Sequence, residues 1–360
     1  MPQAGELPSV SSNSISAARV YVNRFTGGTL ESILGEGLGA ANWEEAIPRD
    51  AAVFVKPNLT YPRHKQAVTT TPAFLEALLA ILSSRTKRIW VGESNGGYRG
   101  WPAEMAFQFH DLHRICGRFG ATLVNLSREP TESVVVQAGK RHLPLELPRL
   151  LTRGIEALIT VPVPKIHSVT RYSGAVKNQW GCIPNDMRLR YHPFFDDGIL
   201  DLNRIVHTRL AVMDGTFMLD RSGPMFGTPV PMKTVIVSSD IRAADIVACR
   251  VMGISPQKVR HLHLNAADLV EPPEMLPAPP PAPAHLFALR RSFRDMLVTL
   301  AFKRRWAVWL IWDSKPGDLL HQALYRLLGN ETQAEIRRLA GEMENSFPGQ
   351  LRPAATTEDQ

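Results

Sequence analysis

AAVFVKPNLTYPRHKQAVTTTPAFLEALLAIL, residues 51–82, holds one complete structural unit. AAVFVKPNL is a compact apolar run that ends at Lys-Pro-Asn, which predicts a buried strand. Thr71 before Pro72 predicts a helix N-cap followed by proline in the first helical position. Phe74, Leu75, Leu78, Leu79 and Leu82 then form the apolar stripe of a helix. A strand, a polar turn and a helix in that order make a βα unit.

The same alternation runs outward in both directions. ARVYVNRF (Ala18–Phe25) alternates as a strand, and LESILGEGLGAANW suggests a helix with a glycine-rich end. RIWVGES is the next strand, a helix is expected over about 103–119, and ATLVNLS is a further strand. Beyond it, IEALITVPVP and LAVMDGTFMLDRSGPMFG carry strands. KTVIVSSDIRAADIVACRVMGI reads as strand, cap at Ser239 or Asp240, and helix. The expected fold class is α/β, a parallel-sheet core of βα units with an appended C-terminal helical tail. Residues 1–17 are expected to be a disordered lead, 18–270 the core domain, 271–285 a proline-rich linker, 286–345 a basic amphipathic helical tail and 346–360 a disordered end.

Composition narrows the function classes. A chain of 360 residues with 44% hydrophobic content buries a full core. No apolar run reaches the roughly 18 residues of a membrane span, and the N-terminus lacks a signal pattern, so a cytoplasmic protein is expected. Cys116, Cys182 and Cys249 have no CxxC spacing; they are expected in the core, and no iron–sulfur cluster is expected. The formal charge of +7 points to anionic partners, yet helix-turn-helix, RNP and zinc-finger signatures are missing, so specific nucleic-acid binding is not expected.

In a parallel α/β sheet, ligands bind at the carboxyl ends of the strands. The polar clusters fall at those ends. KIHSVTRYSGAVKNQW (165–180) follows a buried strand and supplies Lys165, His167, Ser173, Lys177 and Asn178. His167 is suited to proton transfer near neutral pH, and Lys177 to binding an anion, forming a Schiff base or carrying a covalent cofactor. KPNLTYPRHK supplies Lys56 and Asn58, with Arg63, His64 and Lys65 beyond, as a candidate anion site beside the Thr71 helix start. ESNGG supplies Glu93, Ser94 and Asn95. Asp214, Asp240 and Asp245 are carboxylates on the later units, read either as caps or as hard-cation ligands; Asp245, inside a helix, needs a partner if buried. His192, next to Pro193, is read as structural or as a metal ligand. Each cluster also has a plainer reading as a solvated loop.

Taken together, VFVKPNL, TTTP, VGESNGG, ITVPVPKIHSVTRYSGAVKNQWG, MDGTFMLDRSGP and SSDIRAADIVACRVMG resemble the domain of unknown function 362 family over roughly Arg19 to Val270. Members often carry an iron–sulfur segment, which this chain lacks. A shorter segment, HSVTRYSGAVKNQWGCIP, is similar to the nickel-pincer lactate racemase family. That resemblance implies His167 as acid/base, Lys177 as covalent anchor of a nucleotide-derived cofactor and His192 as a metal ligand. The family's aspartate–histidine–threonine–arginine signature and second catalytic histidine have no match here, which argues against racemisation.

The tail carries Leu289, Phe293, Met296, Leu297 and Leu300 at helical spacing, then Lys303, Arg304 and Arg305 before Trp306, Trp309 and Trp312. Residues 286–312 therefore fit an anionic membrane surface, such as the inner membrane, at roughly 1 kcal/mol per basic residue, or an apolar contact on the core or a second subunit. Two functions follow. One is an enzyme acting on an anionic small molecule by acid/base or redox chemistry, an isomerase or oxidoreductase. The other is a non-catalytic ligand-binding or assembly protein held at a membrane by its tail. Oligomerisation is left open.

Overall fold

The computed structural model describes residues 18–97, 100–262, 274–276, 285–291, 293–317, 319 and 331–346. The strands are β1 (Arg19–Arg24), β2 (Val53–Pro57), β3 (Ile89–Glu93), β4 (Thr122–Asn125), β5 (Thr131–Ala138), β6 (Arg141–Pro148), β7 (Ala157–Val161), β8 (Lys165–His167), β9 (Arg171–Ser173), β10 (Thr208–Asp220), β11 (Thr228–Ser238) and β12 (Glu274–Leu276). The helices are α1 (Leu30–Ala40), α2 (Trp43–Ala46), α3 (Pro72–Leu82), α4 (Ala103–Phe109), α5 (Leu112–Phe119), α6 (Ala175–Asn178), α7 (Phe195–Ile205), α8 (Ile241–Val251), α9 (Phe293–Phe302), α10 (Arg305–Val308) and α11 (Glu331–Ser346).

The main sheet runs β12-β1-β11-β10-β7-β2-β3-β4. From β10 to β4 its neighbours are parallel, so the chain is an α/β protein with the expected parallel core. Side chains alternate across it. Val53 and Val55 of β2 enter one apolar layer, with α1, α3, α4 and α5, while Phe54 enters the other, with α7 and α8. β7 and β10 divide in the same way, Leu158 and Met213 facing α7 and α8, Ile159 and Val212 facing α3. Burial on both faces explains why these strands read as continuous apolar runs.

The order of connection places the site. From β2 the chain steps outward to β3 and β4, then returns to the other side of β2 as β7 and steps on to β10. The switch point is therefore the crevice between β2 and β7, at their carboxyl ends.

The structure departs from expectation in four places. The run KTVIVSS pairs antiparallel with β10, because the 221–227 connection is shorter than the dozen or so residues a parallel crossover needs. The hairpin β5–β6 covers α7 and has no counterpart in the reading above. The expected 103–119 helix is split at Asp111, which takes a left-handed conformation (φ 58°) beside His110, whose Nε2 bonds the Tyr61 carbonyl. Within the proline-rich segment, Glu274–Leu276 contains no proline and adds a parallel strand to the edge of β1. The remaining linker and both expected disordered ends lie outside the described residues, save His285, which pairs with Asp220, and Ser346, which closes α11.

The tail helices rest on the core. Leu339 and Met343 of α11 are buried in the α3 layer, and Arg63 pairs with Glu335. Phe302 of α9 stacks on His192, with ring centroids 4.4 Å apart. Cys116, Cys182 and Cys249 are all buried. The α3 stripe is buried as expected, Leu78 at 1% exposure. Leu78→Ala should lower stability by about 2–5 kcal/mol in chemical denaturation, with the far-ultraviolet circular dichroism of the native state unchanged.

Candidate functional site

A cavity of about 300 Å³ opens at the carboxyl ends of β2, β3 and β8. Asn58, Glu93, Ser94, Lys165, His167, Ser173, Lys177, Asn178 and His192 all line it, drawn together from segments far apart in sequence. Asn178 marks the switch point itself. Its Nδ2 donates to the Lys56 carbonyl of β2 and to the Thr160 hydroxyl of β7, each at 3.0 Å.

The turn from β9 into α6 carries Lys177 and Asn178, and one buried carboxylate shapes it. Asp245 of α8 accepts from the Tyr172 hydroxyl (2.9 Å), the Ala175 amide (2.7 Å) and the Val176 amide (2.9 Å). Burial pushes this carboxyl up to about 7, against the pull of its three donors. Gly174 is required here because a Cβ would lie 2.1 Å from both the Asp245 carboxylate and the Tyr172 hydroxyl. The Asp245 partner expected from its position in a helix is thus the turn that carries two cavity-lining residues, Lys177 and Asn178.

Lys56 and Glu93 form a buried ion pair at 2.5 Å, and Lys56 also donates to the Pro57 carbonyl. Lys56 therefore neutralises the cavity's acidic wall and is not itself on the lining. Gly181 makes room for the pair: a Cβ there would lie 2.5 Å from Glu93 Oε1.

The other cations have no such partner. Lys165 donates to the Val68 carbonyl and has no carboxylate partner among the described residues. Burial, then the charge of Lys177, brings its amine down to about 7. Lys177 stands 5.4 Å from the Phe195 ring centroid, and burial, then Arg188, brings it down to about 8. Arg188, also on the lining, donates to the Asn95 carbonyl at 2.7 Å. Burial lowers its pKa as well. The sequence reading missed Arg188, which reaches the cavity from a 3-10 turn; the basic run RLR was the available signal.

His167 is held in one tautomer. Its Nδ1 accepts from the amides of Val169 (3.1 Å) and Thr170 (3.3 Å), so Nε2 carries the proton. Burial first, then the Lys177 charge, keeps the ring neutral well below its usual range. Such an imidazole offers a hydrogen-bond donor to the cavity, not a free basic nitrogen. His192 is neutral too, lowered to about 3 by burial and by Lys177. Its Nδ1 donates to the Leu189 carbonyl, leaving Nε2 as its open ligand atom.

Two expected residues lie off the lining. Asn95 Oδ1 accepts from the Ala103 amide at the start of α4, and Asp214 accepts from the amides of Thr71 and Thr216. Asn95 ties the end of β3 to the start of α4, and Asp214, midway along β10, ties that strand to the start of α3. Arg63 and Lys65 likewise point elsewhere, to Glu335 and to the rings of Tyr61 and Phe226. For a lysine-anchored metal cofactor the cavity supplies two amines, Lys165 and Lys177, and one open imidazole nitrogen, His192 Nε2. Among the described residues no group of three His, Cys, Asp or Glu side chains is placed to hold a metal. Any metal here would need most of its donors from the cofactor itself.

The fold is α/β, with a cation-lined cavity at its topological switch point. Residues 53–250, more than half of the chain, match the model of the Domain of unknown function (DUF362), and the chain belongs to that family. A thylakoid-associated protein of Synechocystis sp. is 24% identical over 120 residues, a match that covers 31% of this chain and only 37% of the relative. Among solved structures, the lactate racemase apoprotein of Thermoanaerobacterium thermosaccharolyticum is similar with a TM-score of 0.43 at 14% identity, over 66% of this chain and 57% of that one. A Thermotoga maritima protein gives 0.39 at 16%, over 62% and 60%.

Asp245→Ala should destabilise the fold by at least about 3 kcal/mol in denaturant titration, since it leaves three buried donors unpaired. A smaller change would mean that the turn is held by packing alone.

Proposed function

We propose that this protein is an enzyme acting on a small anionic molecule in the switch-point cavity. The observation that carries this reading is the charge of the lining. Lys165, Lys177 and Arg188 face the cavity, while its one acidic wall residue, Glu93, is already paired with Lys56. Buried cations without counter-ions are costly, and an incoming carboxylate or phosphate relieves that cost. In this reading Lys177 and Arg188 hold the anion, His167 Nε2–H donates to a substrate oxygen, and the chemistry is of the acid/base class. A redox or lysine-anchored cofactor route would use the same Lys177 anchor, with His192 Nε2 as the protein's metal donor.

Inorganic phosphate tests the reading. At ten times its dissociation constant, phosphate should stabilise the protein by about 1.4 kcal/mol relative to chloride at equal ionic strength, visible as a rise in Tm. Lys177→Gln should remove most of that rise. An equal response in the variant would sink the assignment.

A second reading concerns location, and a separate observation favours it. Phe293, Met296, Leu297 and Leu300 of α9, with Trp306, Trp309 and Leu310, are exposed, Phe293 at 75% and Trp306 at 68%. Arg290, Lys303, Arg304 and Arg305 are exposed beside them. We infer that this face rests on an anionic bilayer surface, the apolar side chains entering the interface and the cations meeting headgroups. Among the described residues no helix is long and apolar enough to cross a membrane, so the attachment is peripheral. The association named for the Synechocystis relative points the same way. The other side of α9 packs on the core, so one helix serves both roles weighed for the tail.

The protein should co-sediment with vesicles containing phosphatidylglycerol and not with pure phosphatidylcholine. Changing Trp306 and Trp309 to Ser should weaken this binding at least about tenfold. Self-association without vesicle binding would instead assign the face to a second copy.

A further inference from the structure

Lys165 is the cavity's most unusual group: the anion reading counts it on the lining but gives it no contact to the anion. It opens β8, and His167 lies two residues on, so both side chains project from the same face of the strand into the cavity. Its β9 partner in the ladder is Ser173, another lining residue. The side chain is 1% exposed. Its nitrogen donates to one backbone carbonyl, that of Val68, and it has no carboxylate partner among the described residues. A permanent cation would require more compensation than this. An amine that is neutral for part of the time fits the surroundings, and its free lone pair makes it a nucleophile. Around it stand a neutral donor, His167 Nε2–H, and two cations, Lys177 and Arg188.

We propose that Lys165 forms an imine with the carbonyl carbon of a small 2-oxo acid whose carboxylate is held by Lys177 and Arg188. The proposal rests on the anion reading of the cavity. The Lys165 nitrogen adds to the carbonyl carbon, and the amine proton it sheds and the proton of the Lys177 ammonium together carry the carbonyl oxygen away as water. His167 Nε2–H holds that oxygen during addition. The product is the iminium, a carbon–nitrogen double bond to Lys165 that keeps the second amine proton, and Lys177 regains its own proton from solvent. Overall, an amine, a carbonyl and one proton give an iminium and one water. An iminium next to a carboxylate draws electrons from the neighbouring carbon, which supports proton exchange or carbon–carbon cleavage there.

The full-length protein is treated with glyoxylate and sodium cyanoborohydride, and the trapped adduct is mapped by peptide mass spectrometry. Lys165 should be alkylated roughly ten times faster than the exposed Lys87, Lys140 or Lys258, and prior addition of phosphate should suppress its labelling. Mapping on the wild-type chain decides the matter without relying on a variant that folds. Lys165→Met then serves as a control, and should lose the adduct while the exposed lysines are labelled as before. Labelling confined to exposed lysines, or falling on Lys177, overturns the imine. If phosphate still stabilises the protein in that case, the anion site stands and only the covalent step fails. If neither effect appears, both fail.

Discussion

The site depends on Asp245. This carboxylate is wholly buried in α8, and its three donors all belong to the segment between β9 and α6. Local propensity does not fix that segment, since α6 spans only Ala175–Asn178 and a helix so short has little stability of its own. The buried acceptor gives its first amides a partner and sets where the chain turns. From that turn Lys177 reaches the cavity, Asn178 bridges β2 to β7, and Gly181 passes close against the Lys56–Glu93 pair. A helix on one side of the sheet thus controls a cavity at its edge.

Electrostatics then follow from the way charge is divided. Lys56 is spent on Glu93, so the acidic wall carries no net charge. Outside that pair stand Lys165, Lys177 and Arg188; burial lowers the pKa of each, Lys177 adds to the lowering of Lys165, and Arg188 to that of Lys177. The histidines respond in the same direction and stay neutral. The pocket is therefore short of negative charge and holds neutral donors, the pairing expected for recognition of an anion with a polar oxygen beside it. The tail adds a two-sided surface. Its inner face covers His192, while its outer face leaves aromatic and basic side chains in solvent.

Much of this was legible from residues 51–82 and their repeats. Apolar runs bounded by caps showed the βα units, and the rule that ligands bind at strand carboxyl ends pointed to turns that meet around one cavity. Nine of the twelve residues singled out as site candidates line the cavity. Lys56, Asn95 and Asp214 do not, because each found a nearer partner than a ligand. Sequence adjacency to a strand end says that a residue is near the edge, not which way its side chain turns. Arg188 shows the converse, since it joins the lining although no strand precedes it directly.

The sequence by itself determined the α/β class, the buried strands and the polar edge, because these rest on periodicity and on short-range caps. Tertiary structure alone decided the antiparallel turn-back of β11, the placing of β5–β6 and the tie from Asp245 to residues about 70 positions earlier. It also decided which cations stay unpaired. Those outcomes depend on partners distant along the chain. Which charge meets which carboxylate inside a protein is settled by packing, where the dielectric is low and a pairing such as Lys56 with Glu93 decides the local charge.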